Sequence, residues 1–517
     1  MTVLRSKPYI VAVDIGTTST KTLVIDREGQ IRGSRSIEYP LLTPKPDVAE
    51  QDPLQIFGAV LRGIREALQQ CNASASQVLC VSFSSAMHSV IAVDRELNPL
   101  TRCITWADNR CAGMLATLKT EHDAHQIYLD TGTPIHPMSP LLKLMWMKKE
   151  MPDLFRASHK FVGIKEFVFA KLFGQFIIDH SLASATGLFN LRRLDWDERA
   201  LAAAGVGRDR LSEPVPTTRW VSGLPKHYAE EMGLMPDTPF VVGASDGVLA
   251  NLGAGSFEPG HIAVTIGTSG AVRGVVREPK TDPQGRLFCY ALKEDFWVIG
   301  GPINNGGIMF RWVRDELATL EAEEGRKRGQ DPYDYLTELA AGVAPGSDGL
   351  IFLPLLAGER APYWNANARG TFFGLALHHR KAHMIRAVLE GVMYRIHSVV
   401  AALEELAGKA VEIRASGGFA RSALWRQIMA DVLGTEIVVP DAIESSGLGA
   451  AALGLLAMGE IKHFDEIRDW IRVGARHVPD SGNHRIYREL TQIYHRVYMR
   501  LKDEFDAIAS FQHQYVK

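Results

Sequence analysis

No apolar run in the chain reaches the ~18 residues that a membrane-spanning helix requires, so the sequence predicts no membrane span. The opening stretch Met-Thr-Val-Leu-Arg-Ser-Lys-Pro lacks a secretory signal pattern and runs straight into a strand-like segment. Cysteine is sparse, with five residues at 71, 80, 103, 111 and 289, odd in number and without a Cys-x-x-Cys pair. That argues against a disulfide framework or a zinc site and makes a reducing cytoplasm the expected compartment. An excess of charge of either sign is missing too. There are 57 Lys and Arg against 59 Asp and Glu, a net charge of −2, so no broad electrostatic case exists for nucleic acid or a membrane surface. Even Arg326-Lys327-Arg328 stands beside Glu321, Glu323 and Glu324, the pattern of a solvated loop or helix end.

What the chain does have is a repeated motif. In Val11-Ala-Val-Asp14-Ile-Gly16-Thr17-Thr18-Ser-Thr20-Lys21, an apolar strand ends in an acid and a small-residue turn, and a second strand-like run follows at once. A tight hairpin there leaves backbone N–H groups pointing outward, the donors a polyphosphate needs, and Asp14 could hold Mg²⁺, directly or through water. Taken alone, the stretch is equally that of an ordinary hairpin whose threonines serve β-propensity. A second copy changes the balance. At an offset of 251 residues, Ala263-Val264-Thr265-Ile266-Gly267-Thr268 matches the first except that Thr265 replaces Asp14. With 517 residues, 46% of them hydrophobic, the chain predicts two large α/β domains, residues 1–254 and 255–517, with tail helices from about residue 464.

Further candidates lie at predicted strand ends, where open α/β sheets place ligands. Ser84-Ser85-Ala86-Met87-His88 follows one strand, and His88 either hydrogen-bonds a substrate or caps a local turn. Trp106-Ala-Asp108-Asn109-Arg110 follows another, a carbohydrate-type arrangement or a core Trp with a helix-capping Asp. Thr131 to Pro140, with His136, is too proline-rich for a helix and is expected as a loop. Lys165 faces the same site or pairs with Glu166 in solvent. After the strand Pro239–Val242, Gly243-Ala-Ser-Asp246-Gly247 is expected to turn sharply into a helix from Val248, with Asp246 as general base or as helix cap. Asn304-Asn305-Gly306-Gly307 leads into a helix with Arg311, and Gly358-Glu359-Arg360 follows the β-like run Leu350–Leu355. Ser416-Gly417-Gly418 with Ser422 forms another strand–glycine–helix junction. The small-residue helix around Ser446–Gly454 implies tight packing on another backbone.

Gly370-Thr-Phe372-Phe-Gly374-Leu375, followed after seven residues by His383-Met384-Ile-Arg-Ala387-Val388-Leu389-Glu390, resembles the C-terminal signature of the FGGY family of carbohydrate kinases. The resemblance spans nearly the whole chain. It implies two ribonuclease-H/actin-like domains of the Hsp70 and hexokinase type, with a nucleotide and sugar cleft between them. It places Asp14 by Mg²⁺, Thr17, Thr18, Lys21, Gly267 and Thr268 along the ATP phosphates, and Asp246 as catalytic base. Gly307 and Arg311 then lie near the nucleotide, and Gly417, Gly418 and Ser422 near adenosine. Arg311 and Ser422 depart from the glycerol kinase pattern, which has Gln and Asn there.

Met87-His88 stands where glycerol kinases carry Arg-Glu, and the context of Met87, His88, Trp106, Asp108, Arg110 and His136 is most similar to the gluconokinase subgroup. The resemblance therefore implies phosphorylation of D-gluconate to 6-phospho-D-gluconate by ATP and Mg²⁺, with Arg110, His88, His136 and Lys165 as partners of the sugar acid. Xylulose kinase is the alternative within the family, and an actin- or Hsp70-like ATP-driven binding module the alternative outside it. The expected partners are a sugar acid and ATP, with neither nucleic acid nor membrane, and a homodimer is among the expected assemblies.

Overall fold

A run of apolar residues hidden on both faces needs sheet neighbours on both sides, and Tyr9–Ile15 has them. In the computed structural model, which describes residues 7–441 and 444–515, this strand pairs antiparallel with Ser19–Asp26 and parallel with Val78–Ser85. Residues 1–6, expected to run straight into this strand, lie outside the described residues. The sheet runs in the order Trp220–Val221, Phe240–Ser245, Val78–Ser85, Tyr9–Ile15, Ser19–Asp26, Ile31–Glu38. Val78–Ser85, at its centre, is buried at every position. Asp52 opens the helix Pro53–Gln70 by accepting from the amides of Leu54 and Gln55, with Pro53 in the first turn, as the Asp-Pro pair predicts.

These elements belong to the first of two compact units, which takes the chain up to Phe257 together with Val276–Val298 and Glu444–Ile471. The returning segment is stitched in by long-range bonds. Tyr128 donates to Leu287 O at 2.7 Å, Cys289 N to Gly132 O at 2.9 Å, and Ala291 N to Ser184 Oγ at 3.0 Å.

The second unit takes Glu258–Val275, the stretch that starts at Ile299, and the chain from Arg472 onward. In it His261–Ile266 pairs antiparallel with Gly270–Val276 and parallel with Glu412–Ser416. Tyr9–Ile15 has the same two relations, so the duplication seen in the sequence is a duplication of sheet topology. Ile437–Pro440 and Val473–His477 extend this sheet beyond Glu412–Ser416. Among the described residues, the tail from Phe464 holds a short 3-10 helix, Phe464–Trp470, then that strand and the long helix Ser481–Tyr515, rather than helices alone. Val473-Gly-Ala-Arg-His477 lacks the apolar alternation that marks a strand, and its backbone pairing with Ile437–Pro440 decides its form.

Two details of the first unit differ from expectation or sharpen it. Residues 243–245 do not turn: the strand continues through Ser245, and Gly243 forms a bulge between Val241 and Ala244. Gly243 has φ +77°, and a Cβ there would overlap the Phe83 carbonyl, so only glycine fits. The small-residue helix Ser445–Ala457 crosses the helix Asp246–Gly253 backbone to backbone, with Gly253 against Ser445 O and Gly449 against Leu249 O.

Because the atoms facing Gly449 are backbone, they cannot rotate away from an added methyl. Gly449→Ala is expected to lower the free energy of urea unfolding by about 1–3 kcal/mol. An unchanged midpoint would show that these helices are not in close contact.

Candidate active site

Both hairpin tips solve the same local problem in the same way. A tip that is to bind an anion must present amides outward, so its carbonyls need donors from behind. At the first tip, Gly16 O accepts from the Tyr39 hydroxyl (2.8 Å), Thr17 O from Gln51 Nε2 (2.6 Å) and Thr18 O from the Tyr39 amide (3.0 Å). At the second, Gly267 O accepts from the amide of Gly307 (2.7 Å) and Thr268 O from that of Ile308 (3.1 Å). The amides of Thr17 and Thr18, and of Thr268 and Ser269, have no protein acceptor among the described residues. Thr18, Gly267 and Thr268 are exposed.

In the first unit three parallel strands end side by side. Asp14 lies opposite Ser84 in the register, and Ser245 opposite Ser85, so Asp14 and Asp246 both stand at the carboxyl edge of one sheet. Asp14 accepts from Ser84 Oγ at one oxygen and from Ser446 Oγ at the other, both at 2.6 Å. Asp246 opens its helix after the N-cap Ser245 and accepts from the Gly247 amide at 2.6 Å, which fixes the carboxylate's orientation. Lys165, 1% exposed, pairs with the buried Asp179 at 2.7 Å and donates to Ala244 O at 3.3 Å, so it is no solvent partner of Glu166. Burial pushes its ammonium pKa down, partly offset by Asp179, and its charge also attracts Asp246. Lys21 is held by Glu444, at 2.9 and 3.0 Å.

The residues matched to the sugar acid form two groups. His88 sits at φ +69°, an unusual conformation for any residue but glycine, and is tied down on both sides. Its Nδ1 lies 2.6 Å from Ala185 O, a partner that can only accept, so Nδ1 carries the proton, while its carbonyl accepts from Lys143 Nζ at 2.6 Å. Lys143 also donates to Met138 O at 2.7 Å, joining the His88 turn to the His136–Met138 loop, where His136 Nδ1 accepts from the Met138 amide. It is fully buried, and desolvation pushes its pKa down to about 8. Met87 is half-buried in the same turn. In the second group Trp106 donates to Thr17 Oγ1 at 3.1 Å, which couples it to the first tip. Buried Asp108 accepts from Arg110 Nε (3.0 Å) and the Ala49 amide (3.0 Å), while Arg110 also reaches Glu50 at 2.5 Å and covers the Trp146 ring. The Arg110 charge is thus already balanced by two acids.

In the second unit Gly307 lies against the Gly267 tip, and Arg311 is exposed one turn on. Gly417 has φ +100° against the carbonyl of Ile266, and Gly418 is exposed beside it. The Ser422 hydroxyl caps the next helix, accepting from the Trp425 amide at 3.2 Å.

The model of the FGGY family of carbohydrate kinases matches residues 9–253 with its N-terminal domain and 262–458 with its C-terminal domain. The chain is 50% identical to the gluconokinase of Bacillus subtilis over 98% of each chain. Two solved structures from Lactobacillus acidophilus, a gluconate kinase and a ligand-bound xylulose kinase, are each 35% identical to it. They match at TM-scores of 0.91 and 0.92 over 97% of this chain and 99% of theirs. The chain belongs to the FGGY family of carbohydrate kinases. It is therefore an ATP-using kinase of two α/β domains with the actin- and hexokinase-like fold, and the ATP-driven binding module is set aside.

Within this FGGY kinase, sequence reasoning missed Lys143, Ser446, Glu444 and Glu166. Lys143 is in a helix of otherwise apolar spacing, and only its contacts with two loops show its task. Ser446 and Glu444 lie more than 400 residues from their partners. Glu166 was seen only as a neighbour of Lys165, yet its carboxyl is buried and accepts from the Gly163 amide at 2.6 Å. Burial pushes its pKa up to about 7.

The folded state therefore holds the Glu166 proton up to about pH 7. The unfolded chain releases it near the ordinary value of about 4.3. Its contribution to stability is fully present at low pH and is lost as pH rises through 7. Glu166→Gln should remove that loss. The stability difference between wild type and variant in urea unfolding is expected to move against the wild type by up to about 3 kcal/mol between pH 4.5 and 7.5. A difference independent of pH would mean that the folded carboxyl is ionised throughout.

Proposed function

We propose that this kinase transfers the γ-phosphoryl group of ATP to D-gluconate, giving 6-phospho-D-gluconate and ADP. The observation that carries the substrate is the 50% identity with a gluconokinase over 98% of both chains. The site chemistry agrees with a phosphoryl transfer run by positioning and electrostatics rather than by covalent catalysis.

Asp246 is the general base in this reading. Its carboxylate, oriented by the Gly247 amide, takes the proton from the terminal hydroxyl as the oxygen attacks. Lys165 lies behind the strand end and holds it through Ala244 O, a positioning task, since Asp179 already balances its charge. We assign phosphate binding to the outward amides of Thr17, Thr18, Thr268 and Ser269, donors fixed before the reaction and therefore needing no reorganisation during it. Lys21 reaches phosphate only by leaving Glu444. Gly307, Gly417 and Gly418 supply backbone surface for the nucleotide; Arg311 and Ser422 have the weaker claim, Ser422 because its hydroxyl caps a helix.

Among the described residues no three His, Cys, Asp or Glu side chains converge to cage a metal ion. A single carboxylate fits Mg²⁺, which fills its shell largely with water and phosphate oxygens. Asp14 would hold it, with Ser84 and Ser446 fixing the carboxylate. When bound, Mg²⁺ neutralises charge on the phosphates.

For the sugar acid, Arg110 and Lys165 are already paired with acids, so His88 and His136 are assigned as its polar contacts, with Met87 and Trp106 as apolar walls. The five free cysteines support a cytoplasmic setting. D-Xylulose is the second reading, favoured by the 35% identity with a xylulose kinase.

Two measurements test the assignment. Asp246→Asn is expected to lower kcat by about 10²–10⁴-fold while ATP affinity stays within about twofold; retained turnover would remove Asp246 as base. The kcat/KM for D-gluconate is expected to exceed that for D-xylulose by at least about a hundredfold, and the reverse order would overturn the substrate.

A further inference from the structure

The second hairpin tip hangs on a buried ion pair that the proposed chemistry does not use. Its carbonyls are held by the amides of Gly307 and Ile308, so the turn Asn304–Gly307 sets where the tip lies. A Cβ on Gly306 or Gly307 would stand 2.7 Å from Ser269 O or Gly267 O, respectively. Turn and tip are therefore in direct backbone contact, and a shift of one moves the other.

Glu359 fixes that turn from below. Its carboxylate, 2% exposed, accepts at Oε1 from the amides of Asn304 (2.7 Å) and Arg360 (2.8 Å). At Oε2 it accepts from Asn305 Nδ2 (3.2 Å) and from Arg395 Nε (3.1 Å). Arg395, on the helix Lys381–Ala407, is 0% exposed, donates to Ala361 O and lies over the Tyr363 ring at 4.5 Å. Asn305 is buried as well and exchanges bonds with Ala357 N (3.0 Å) and Gly358 O (2.6 Å). A desolvated carboxylate with four donors has one low-energy position, because any movement strands a buried charge.

We propose that Glu359 is a positioning residue for ATP: by tying Asn304 and Asn305 to Arg395, it sets the turn that directs the Thr268 and Ser269 amides at phosphate. The inference rests on the reading of the second hairpin as a phosphate site. Sequence pattern showed Gly358-Glu359-Arg360 only as polar residues after a strand, with no task.

Steady-state kinetics on Glu359→Gln, Glu359→Gln/Arg395→Met and Gly307→Ala test it, each with a thermal midpoint. The double variant removes the unpaired guanidinium that destabilises the single one, so a folded protein is available for assay. Both Glu359 variants are expected to raise KM for ATP–Mg²⁺ by about tenfold or more, with KM for gluconate within about twofold. A double variant with wild-type KM for ATP, while Gly307→Ala raises it, would overturn the role of Glu359 and leave the phosphate site standing. Wild-type KM for ATP in Gly307→Ala as well would overturn the phosphate site itself. Equal rises for ATP and gluconate would reduce Glu359 to a general structural part.

Discussion

The proposed phosphate contacts depend on one constraint, that the carbonyls of two hairpin tips be occupied from behind so that their amides face outward. A peptide unit cannot present its N–H without turning its C=O the other way, and a half-buried C=O needs a donor. The two tips meet this need with different means. Side chains of Tyr39 and Gln51, with the Tyr39 amide, cover the first, whereas backbone amides of a glycine turn cover the carbonyls of Gly267 and Thr268 at the second. A side-chain brace can be supplied by one residue at one position. A backbone brace needs a whole turn held in register, which in the second unit is the task proposed for Glu359 and Arg395 beneath it.

The same logic of fixed donors runs through the first unit. Its cations near the strand ends are paired before any substrate arrives: Lys21 with Glu444, Arg110 with Asp108 and Glu50, Lys165 with Asp179. Such pairs hold loops in place at the cost of charge that could meet a ligand. Lys143 is different. Its Nζ donates to the carbonyls of His88 and Met138, joining two loops and holding His88 at φ +69°.

The parts of this arrangement that sequence could show are those written locally. The two hairpins, Asp14, the Asp-Pro helix start and the close-packed small-residue helix each follow from a few neighbouring residues. What stayed hidden was set by distant backbone. The Gly243 bulge exists because the Phe83 carbonyl comes too close for a side chain, and the sequence around it resembles a turn equally well. Lys165 beside Glu166 looks like a solvent pair, yet its partner is Asp179 on another segment. Ser446 reaches Asp14 across 432 residues, a spacing from which no pattern can be read.

The one mismatch between the repeated motifs has a structural counterpart. Asp14 lies opposite Ser84 and accepts its hydroxyl; Thr265 lies opposite Ser416, and their hydroxyls pair at 3.2 Å. The strand pairing and the serine are kept, and only the charge is lost. A carboxylate at 265 would stand in the same hairpin as the Thr268 and Ser269 amides and repel the phosphate oxygens they are proposed to hold. In the first hairpin Asp14 would exert that repulsion, and a divalent cation held there, as proposed, would reverse its sign. In the proposed reading, dependence on Mg²⁺ traces to a single position of the duplicated motif, and the neutral Thr265 leaves the proposed phosphate contact of the second tip to its amides alone.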